Sequence, residues 1–365
     1  MQDGINSPMS EHIQPQQNNP ATHGLFNANH EVSVDNLPIT GTMPAWLHGT
    51  LLRNGPGKIN AGDQQFRHWF DGYAMLHKFA FQNGQVSYAG KYLESQAHQS
   101  AKDAGQITYT EFATDPCRSL FGRAMAVFNH TVTDNAKVSI AHFADQFLAL
   151  TETPIQVEFD AETLKSVGVF NYEEGLVGQM TTAHPHFFDE HMFNIVTRFG
   201  AMSYYRAYRV DQDMNSVRMG AIRTGKPSYM HSFGMTKNYV IVTEFPLVVN
   251  PLSLLFWLKP FIENFNWEPK RGTPFYVLNR HTGELVGRYE CDPFFAFHHV
   301  NAYEQGDELI LDIDAYPDAD IVTQYYLNRL KDPTLQLPHG NMTRFIVPLK
   351  GKRVRSERLS DACIE

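Results

Sequence analysis

Past residue 40 the chain is a succession of short runs rich in β-branched and aromatic residues, separated by Gly, Asn, Asp and Pro. QFLALTETPIQVEF, YVIVTEFPLVV, TPFYVLNR, ELILDIDAY and TRFIVPL are the clearest. Runs of this length and composition, bounded by turn formers, read as strands. Helical periodicity is scarce, and Gly200–Tyr208 and Ala319–Lys331 are the best short helix candidates. Weak repetition is visible. Leu150-Thr-Glu-Thr-Pro154 echoes Val242-Thr-Glu-Phe-Pro246, and hairpin-like turns recur at Phe159–Thr163, Val210–Asp213 and Leu278–Gly283. Four-stranded units of roughly 40 to 50 residues are what a β-propeller shows in sequence. A β-sandwich is the plainer all-β alternative. The propeller is favoured because strands are many and because its axis gathers residues from distant blades.

The 365 residues suffice for one large domain or two ordinary ones. We expect a disordered leader over residues 1–30, a β-domain over 31–350 and a polar tail over 351–365 that ends without a closing strand. The leader has no apolar stretch of the secretory kind. The net charge of −9, with no basic block before residue 351, speaks against a nucleic-acid partner. Cys117, Cys291 and Cys363 are too few and too scattered for a disulfide framework, which suggests a reducing, cytoplasmic setting. The segment Phe245–Phe261 is unusually apolar but is interrupted by Pro246, Pro251 and Pro260, so it is too short to span a membrane. It either packs on the core or forms an exposed patch that dips into one leaflet. Leu252, Leu254, Leu255, Phe256 and Trp257 favour the second reading, a monotopic, peripheral membrane contact.

His184, His231 and His298 lie in aromatic-rich, strand-like contexts, 47 and 67 residues apart. A single histidine in a strand is usually a core residue, but neutral imidazole is also the commonest metal ligand. Several imidazoles without Cys or carboxylate suit Fe, Cu, Zn or Ni. His184 and His186 share a strand face, so they form either a two-ligand clamp or one ligand and a packing residue. Of His298 and His299 only one can point inward. Glu152, between threonines, is either an acceptor for a ligand's second ring nitrogen or a solvent-facing edge residue. His68 and Asp71 suggest a structural turn before a catalytic pair. Cys117 reads as a plain thiol before a lipidation site. Serine-nucleophile, phosphate-loop, CxxC and EF-hand motifs do not occur.

At these residues the chain resembles the carotenoid cleavage oxygenases, the family of the β-carotene dioxygenases, the retinal pigment epithelium retinoid isomerase and the lignostilbene dioxygenases. The matching segments run from about Leu47 to Leu349. In order they are LHGTLLRNGPG, HWFDGYAMLHKF, DPCRSLFGR, TETP, TAHPH, MHSFGMTKNYVIVTE and FHHVNAYE. DPCRSLFGR is closest to the animal-type branch. The resemblance implies a seven-bladed propeller whose metal face is capped by short helices and loops. One Fe(II) per chain would sit on the axis, held by four histidines. His184, His231 and His298 match three of them. Glu152 matches a glutamate that orients a ligand, most plausibly His231. The Phe245–Phe261 stretch matches a membrane-dipping patch at a tunnel mouth. The fourth histidine and two further glutamates lie near the C-terminus of a longer family chain, and His339 does not match that motif. We therefore expect this chain to lack the family's C-terminal part. The implied reaction is cleavage of a carbon–carbon double bond of a carotenoid or apocarotenoid by O2, giving two carbonyl products. Cleavage of a stilbene-type phenylpropanoid, retinoid isomerisation and an inactive propeller that only binds apolar polyenes are the alternatives. A zinc hydrolase built on His184 and His186 would need alternating strands and helices, which the sequence does not show.

Overall fold

The computed structural model describes residues 27, 28, 30–116, 132–170, 178–255 and 259–363. Most of the expected leader, Cys117, Phe256 and Trp257 lie outside them. The leader's last residues are tied down: Ile59 N donates to Asn27 Oδ1 at 2.7 Å and Ala28 N to Gly57 O at 2.8 Å.

The chain is all-β, as expected. The first sheet contains β1 (Val32–Val34) and β2 (Gly49–Lys58). After a small ribbon, β3 (Asn60–Ala61) with β4 (Gln64–Gln65), it adds β5 (Tyr73–Gln82) and β6 (Gln85–Tyr92). The second is β7 (Ser139–Phe143), β8 (Gln146–Leu150), β9 (Gln156–Phe159) and β10 (Ser166–Phe170). The third is β11 (Met180–Thr181), β12 (His186–Phe188), β13 (His191–Arg198), β14 (Ser203–Val210) and β15 (Ser216–Thr224). The fourth is β16 (Gly234–Met235), β17 (Tyr239–Thr243), β20 (Phe275–Asn279) and β21 (Leu285–Tyr289). It carries an inserted ribbon of β18 (Leu247–Val249) with β19 (Phe265–Trp267). The fifth is β22 (His299–Gln305), β23 (Glu308–Ala315), β24 (Asn341–Pro348) and β25 (Arg355–Cys363). Among the described strands all pairings are antiparallel. The last four sheets run outward in chain order, whereas in the first the order is β1-β6-β5-β2.

Burial explains why these sheets stack as blades. The middle strands are buried on both faces: six consecutive residues of β23 and six of β13 are buried. Such strands are apolar on both faces because each face meets another sheet, with only Asn194 and Thr197 in β13 and Asp312 and Asp314 in β23 as buried polar exceptions. The apolar clusters lie between successive sheets. Leu76 packs with Ala149 and Phe159, and Phe143 with Val196 and Tyr208. Tyr205 packs with Val242 and Leu278, and Ile241 and Val277 pack with Leu311 and Phe345. The described residues build five such sheets, against the seven blades that the resemblance implies.

Helices are few. Among the described residues the α-helices are α1 (Gln96–Ala104), α2 (Pro251–Leu255), α3 (Asp320–Gln324) and α4 (Leu327–Leu330). Ser95 caps α1 by accepting from His98 N, and Gly105 ends it in the left-handed region. The helix expected over Ala319–Lys331 is present as α3 and α4. The helix expected over Gly200–Tyr208 is not: this segment enters β14, paired on both edges by β13 and β15. Its tyrosines suit a pleated, half-buried surface, and tertiary pairing overrides the weak local signal. The expected polar tail is also corrected. Residues 355–363 form β25, paired with β24. As an outer edge strand it needs no apolar face, and charges there discourage pairing with other chains.

Hairpins form at the three turns expected from the sequence, after β9, β14 and β20. In the last, Gly283 has φ +73°, and a Cβ there would lie 1.7 Å from Met219 O of β15. The turn therefore docks the fourth sheet against the third only if the side chain is absent. Gly283→Ala is expected to destabilise the fold by about 2 kcal/mol or more, read as a lowered urea midpoint at unchanged slope.

Candidate metal centre

The three histidines do not sit inside strands. His184 lies in the break between β11 and β12, His231 lies three residues ahead of β16, and His298 immediately precedes β22. Each therefore precedes or interrupts an edge strand of one of three successive sheets. β11, β16 and β22 are those edges, and β16 touches β22. This common placement on successive blades explains the wide spacing in sequence.

The rings converge. One nitrogen of each lies within 4.8 Å of the others, and His184 Nε2 is 3.0 Å from His231 Nε2. The His298 ring is 4.8 Å from that of His184 and 5.0 Å from that of His231. Burial disfavours the charged imidazolium, and the neighbouring histidines add to this. Together they push His184 down to about 2 and His298 to about 3. These two imidazoles are therefore neutral, with lone pairs available.

Glu152 fixes the third. Its Oε1 accepts from His231 Nδ1 at 2.7 Å and from the Tyr229 hydroxyl at 2.7 Å. The proton of His231 thus sits on Nδ1, and its Nε2 lone pair faces His184. Glu152 follows β8 of the second sheet, so this bond joins two blades. The peptide segments are held as well. Asn194 Nδ2 donates to Thr182 O at 2.8 Å, and His184 N donates to Thr182 Oγ1 at 3.3 Å. Ser232 Oγ donates to Phe297 O at 2.6 Å and accepts from His299 N at 2.9 Å. Tyr229, Thr182 and Ser232 escape sequence reading because only the fold brings their partners near. Tyr229 alone gives a local signal, as a phenol two residues before His231.

Other expectations are now decided. His186 turns away and donates from Nε2 to Phe233 O at 2.9 Å, so it forms no two-ligand clamp with His184. His299 points opposite to His298 and bonds Ser232 and Thr243 through its two ring nitrogens. His68 and Asp71 form a buried turn. Asp71 accepts from His68 N, Ala113 N and Thr114 Oγ1, and the His68 ring donates to Val322 O. That pair is structural.

The three histidines open onto a cavity of about 630 Å³, walled in part by Phe70, Phe112, Phe297 and Tyr325. This is the size and character of a small-molecule site. Leu254 lines it and is buried, so it is not a membrane-facing residue. Leu252, on the other side of α2, is 54% exposed. Nothing is described of the side chains of Leu255, Phe256 and Trp257.

Comparison with known proteins places this architecture. A family model described as retinal pigment epithelial membrane protein matches residues 25–365. The chain belongs to this family of carotenoid oxygenases. A carotenoid-cleaving dioxygenase, mitochondrial, of Macaca fascicularis is 35% identical over 344 residues, 85% of this chain and 62% of that protein. A β,β-carotene 15,15'-dioxygenase of Rattus norvegicus is 31% identical over 370 residues, 89% of this chain and 64% of that protein. The chain thus spans less than two thirds of the length of these family members. Among solved structures, a Synechocystis apocarotenoid oxygenase variant has a TM-score of 0.81 at 24% identity, covering 94% of this chain and 73% of that one. Cobalt-substituted Synechocystis ACO has a TM-score of 0.81 at 25% identity, over the same shares of the two chains.

Within the family fold, three converging imidazoles, two of them held neutral by burial, form a donor set able to hold a metal ion. The 3.0 Å between two facing nitrogens is short enough for both lone pairs to reach one ion. Glu152→Gln is expected to weaken Co(II) binding roughly 10- to 100-fold in an optical titration, with the thermal midpoint little changed.

Proposed function

We propose that this chain carries the metal-holding part of an Fe(II)-dependent dioxygenase. Such an enzyme cleaves a carbon–carbon double bond of a carotenoid or apocarotenoid with O2 and gives two carbonyl products. The observation that carries this reading is the opening of the imidazole cluster onto the aromatic-walled cavity. The names of the macaque and rat relatives and of the Synechocystis structures support the substrate class, and the cobalt-substituted form supports a metal.

His184, His231 and His298 would hold the iron, with Glu152 orienting His231. Bound there, the iron would supply O2 activation. The chain's own residues position and shield. Phe70, Phe112 and Phe297 present ring faces and edges to a conjugated chain and exclude water. Holding one double bond beside the metal site would select the bond cleaved. No side chain need act as an acid or base.

A membrane contact belongs to the same proposal. No helix among the described residues is long and apolar enough to cross a membrane. The support for a peripheral contact is α2, which exposes Leu252 on one side and lines the cavity with Leu254 on the other. A water-insoluble polyene could pass from lipid to cavity past this helix. A reducing, cytoplasmic setting fits the unpaired Cys291.

Chain reconstituted with Fe(II) under anaerobic conditions is expected to hold near one iron, and His231→Ala almost none, by metal analysis. On admission of O2 the polyene absorbance band should bleach in the first sample only. Iron-loaded chain that binds the polyene without bleaching would instead be a binder. Leu252→Asp should reduce co-sedimentation with liposomes severalfold while leaving polyene affinity in detergent unchanged.

A further inference from the structure

One reactive side chain of the cavity has no part in the cleavage described above. Lys137 is the only lysine among the described residues that line the cavity, and Glu111 lines it too. Lys137 Nζ meets Glu111 Oε2 at 2.7 Å, and the two side chains are 8% and 1% exposed. Burying such a pair is costly, and apolar residues of similar volume are often the more stable choice. Stability alone therefore does not account for it. Lys137 lies two residues ahead of β7, the edge strand of the second sheet. His231 and His298 hold corresponding places ahead of β16 and β22, so the amine belongs to the same ring of edge positions as the metal centre.

The pair has the parts of an imine-forming site. Among the described residues Lys137 Nζ bonds Glu111 alone, so the rest of the nitrogen's valence is left for a reacting atom. Glu111 is held in place by a second bond: its Oε1 accepts from Thr133 Oγ1 at 2.7 Å. Burial pushes the Glu111 carboxyl above the usual carboxylate range, against the opposing pull of Lys137. The proton that the two share can therefore pass to Glu111 across their contact, which leaves the amine neutral and nucleophilic. Phe70, Phe112 and Phe297 on the same cavity wall exclude water. Exclusion of water protects a hydrolysable intermediate once it has formed.

We propose that Lys137 captures a conjugated aldehyde in the cavity as a protonated imine, with Glu111 as its counter-ion. This rests on the reading above, in which cleavage of a polyene leaves carbonyl products, and it gives an aldehyde product a covalent holding site. The amine lone pair adds to the carbonyl carbon, and a C=N bond replaces the C=O bond. The carbonyl oxygen leaves as water, taking one proton from the amine and the proton from Glu111. The nitrogen keeps its other proton, and the positive charge of the imine faces the Glu111 carboxylate. One ion pair is thus restored where one stood before, so capture adds no net charge to the cavity. Release is the reverse hydrolysis and waits on the entry of water.

The test uses the metal-free chain and two probes, a β-apocarotenal and the matched β-apocarotenol. Binding of either is read by quenching of tryptophan emission, since Trp69 lines the cavity. With the aldehyde, wild-type chain should develop an absorbance band to the red of the free aldehyde, the signature of a protonated conjugated imine. Reduction with cyanoborohydride should then raise the mass of the chain by that of the aldehyde less one oxygen, and peptide mapping should place the adduct on Lys137. Lys137→Arg keeps the charge beside Glu111 but presents no nucleophilic amine. This variant should bind the alcohol as the wild type does and lose both the red-shifted band and the mapped adduct. Lys137→Met alone would leave Glu111 as a buried, unpaired charge. Should Lys137→Arg fold poorly, Glu111→Gln combined with Lys137→Met is the replacement, with the same losses expected. Wild-type chain that binds both probes but shows no red-shifted band, or whose adduct maps to other lysines, would overturn the proposal and leave the polyene reading standing. A red-shifted band that survives in the variant would overturn it equally. Binding of neither probe would sink the cavity's assignment to conjugated substrates, and this inference with it.

Discussion

Face-to-face packing of the sheets is the constraint on which the rest of the molecule depends. A middle strand such as β23 touches another sheet on each side, so its run of six buried residues has no face for solvent. Asp312 within it is paired by the two-pronged bond to Arg344 at 2.8 and 2.9 Å, while Asp314 is buried without a hydrogen-bond partner among the described residues and burial raises its pKa. The outer edge takes charges, as in β25. The other edge faces its counterparts on neighbouring blades. There the chain places His231, His298 and Lys137, each just ahead of an edge strand, and His184, in the break between β11 and β12. The site is thus a product of blade repetition: one position, used on four successive sheets, supplies side chains that are far apart in sequence.

That repetition is what made the fold legible. LALTETP and IVTEFP each close the second strand of a sheet, β8 and β17. Their glutamates are both drawn inward to tyrosine hydroxyls: Glu152 to Tyr229 and Glu244 to Tyr205, at 2.7 and 2.9 Å. The histidines were legible by motif, and the geometry brings them together. Two segments misled for physical reasons. Gly200–Tyr208 carries no clean period, and only pairing on both edges makes it a strand. Residues 355–363 look like a tail because an outer edge strand requires hydrogen bonds to one neighbour and no buried face. The Phe245–Phe261 run divides between the two readings its composition allows. Phe245, Leu247, Val249 and Leu254 are core or cavity residues, and Leu252 faces outward.

Less legible were the groups that hold the histidines still. Ser232 is an ordinary serine in sequence, yet its hydroxyl clamps the His231 segment to the His298 segment across 65 residues. Thr182 and Asn194 do the same for His184 across a hairpin. Tyr229 shares the Glu152 carboxylate with His231. Such contacts follow from which blades are neighbours, and no local pattern encodes that. They matter because a donor set displaced by an ångström no longer surrounds one point.

Charge balance ties the cavity to the metal centre. The histidines would bring a cation no negative charge. The carboxylate of Glu152 lies one hydrogen bond away from His231 and is shared with Tyr229. In a buried, low-dielectric site a second, uncompensated cation on the cavity wall would raise the cost of placing a metal ion there. Lys137 is such a charge, and Glu111 neutralises it at 2.7 Å. Glu111 therefore cancels the field that the ammonium would otherwise direct at the metal. A wall built this way carries a lysine without weakening the hold of the three imidazoles on a divalent ion.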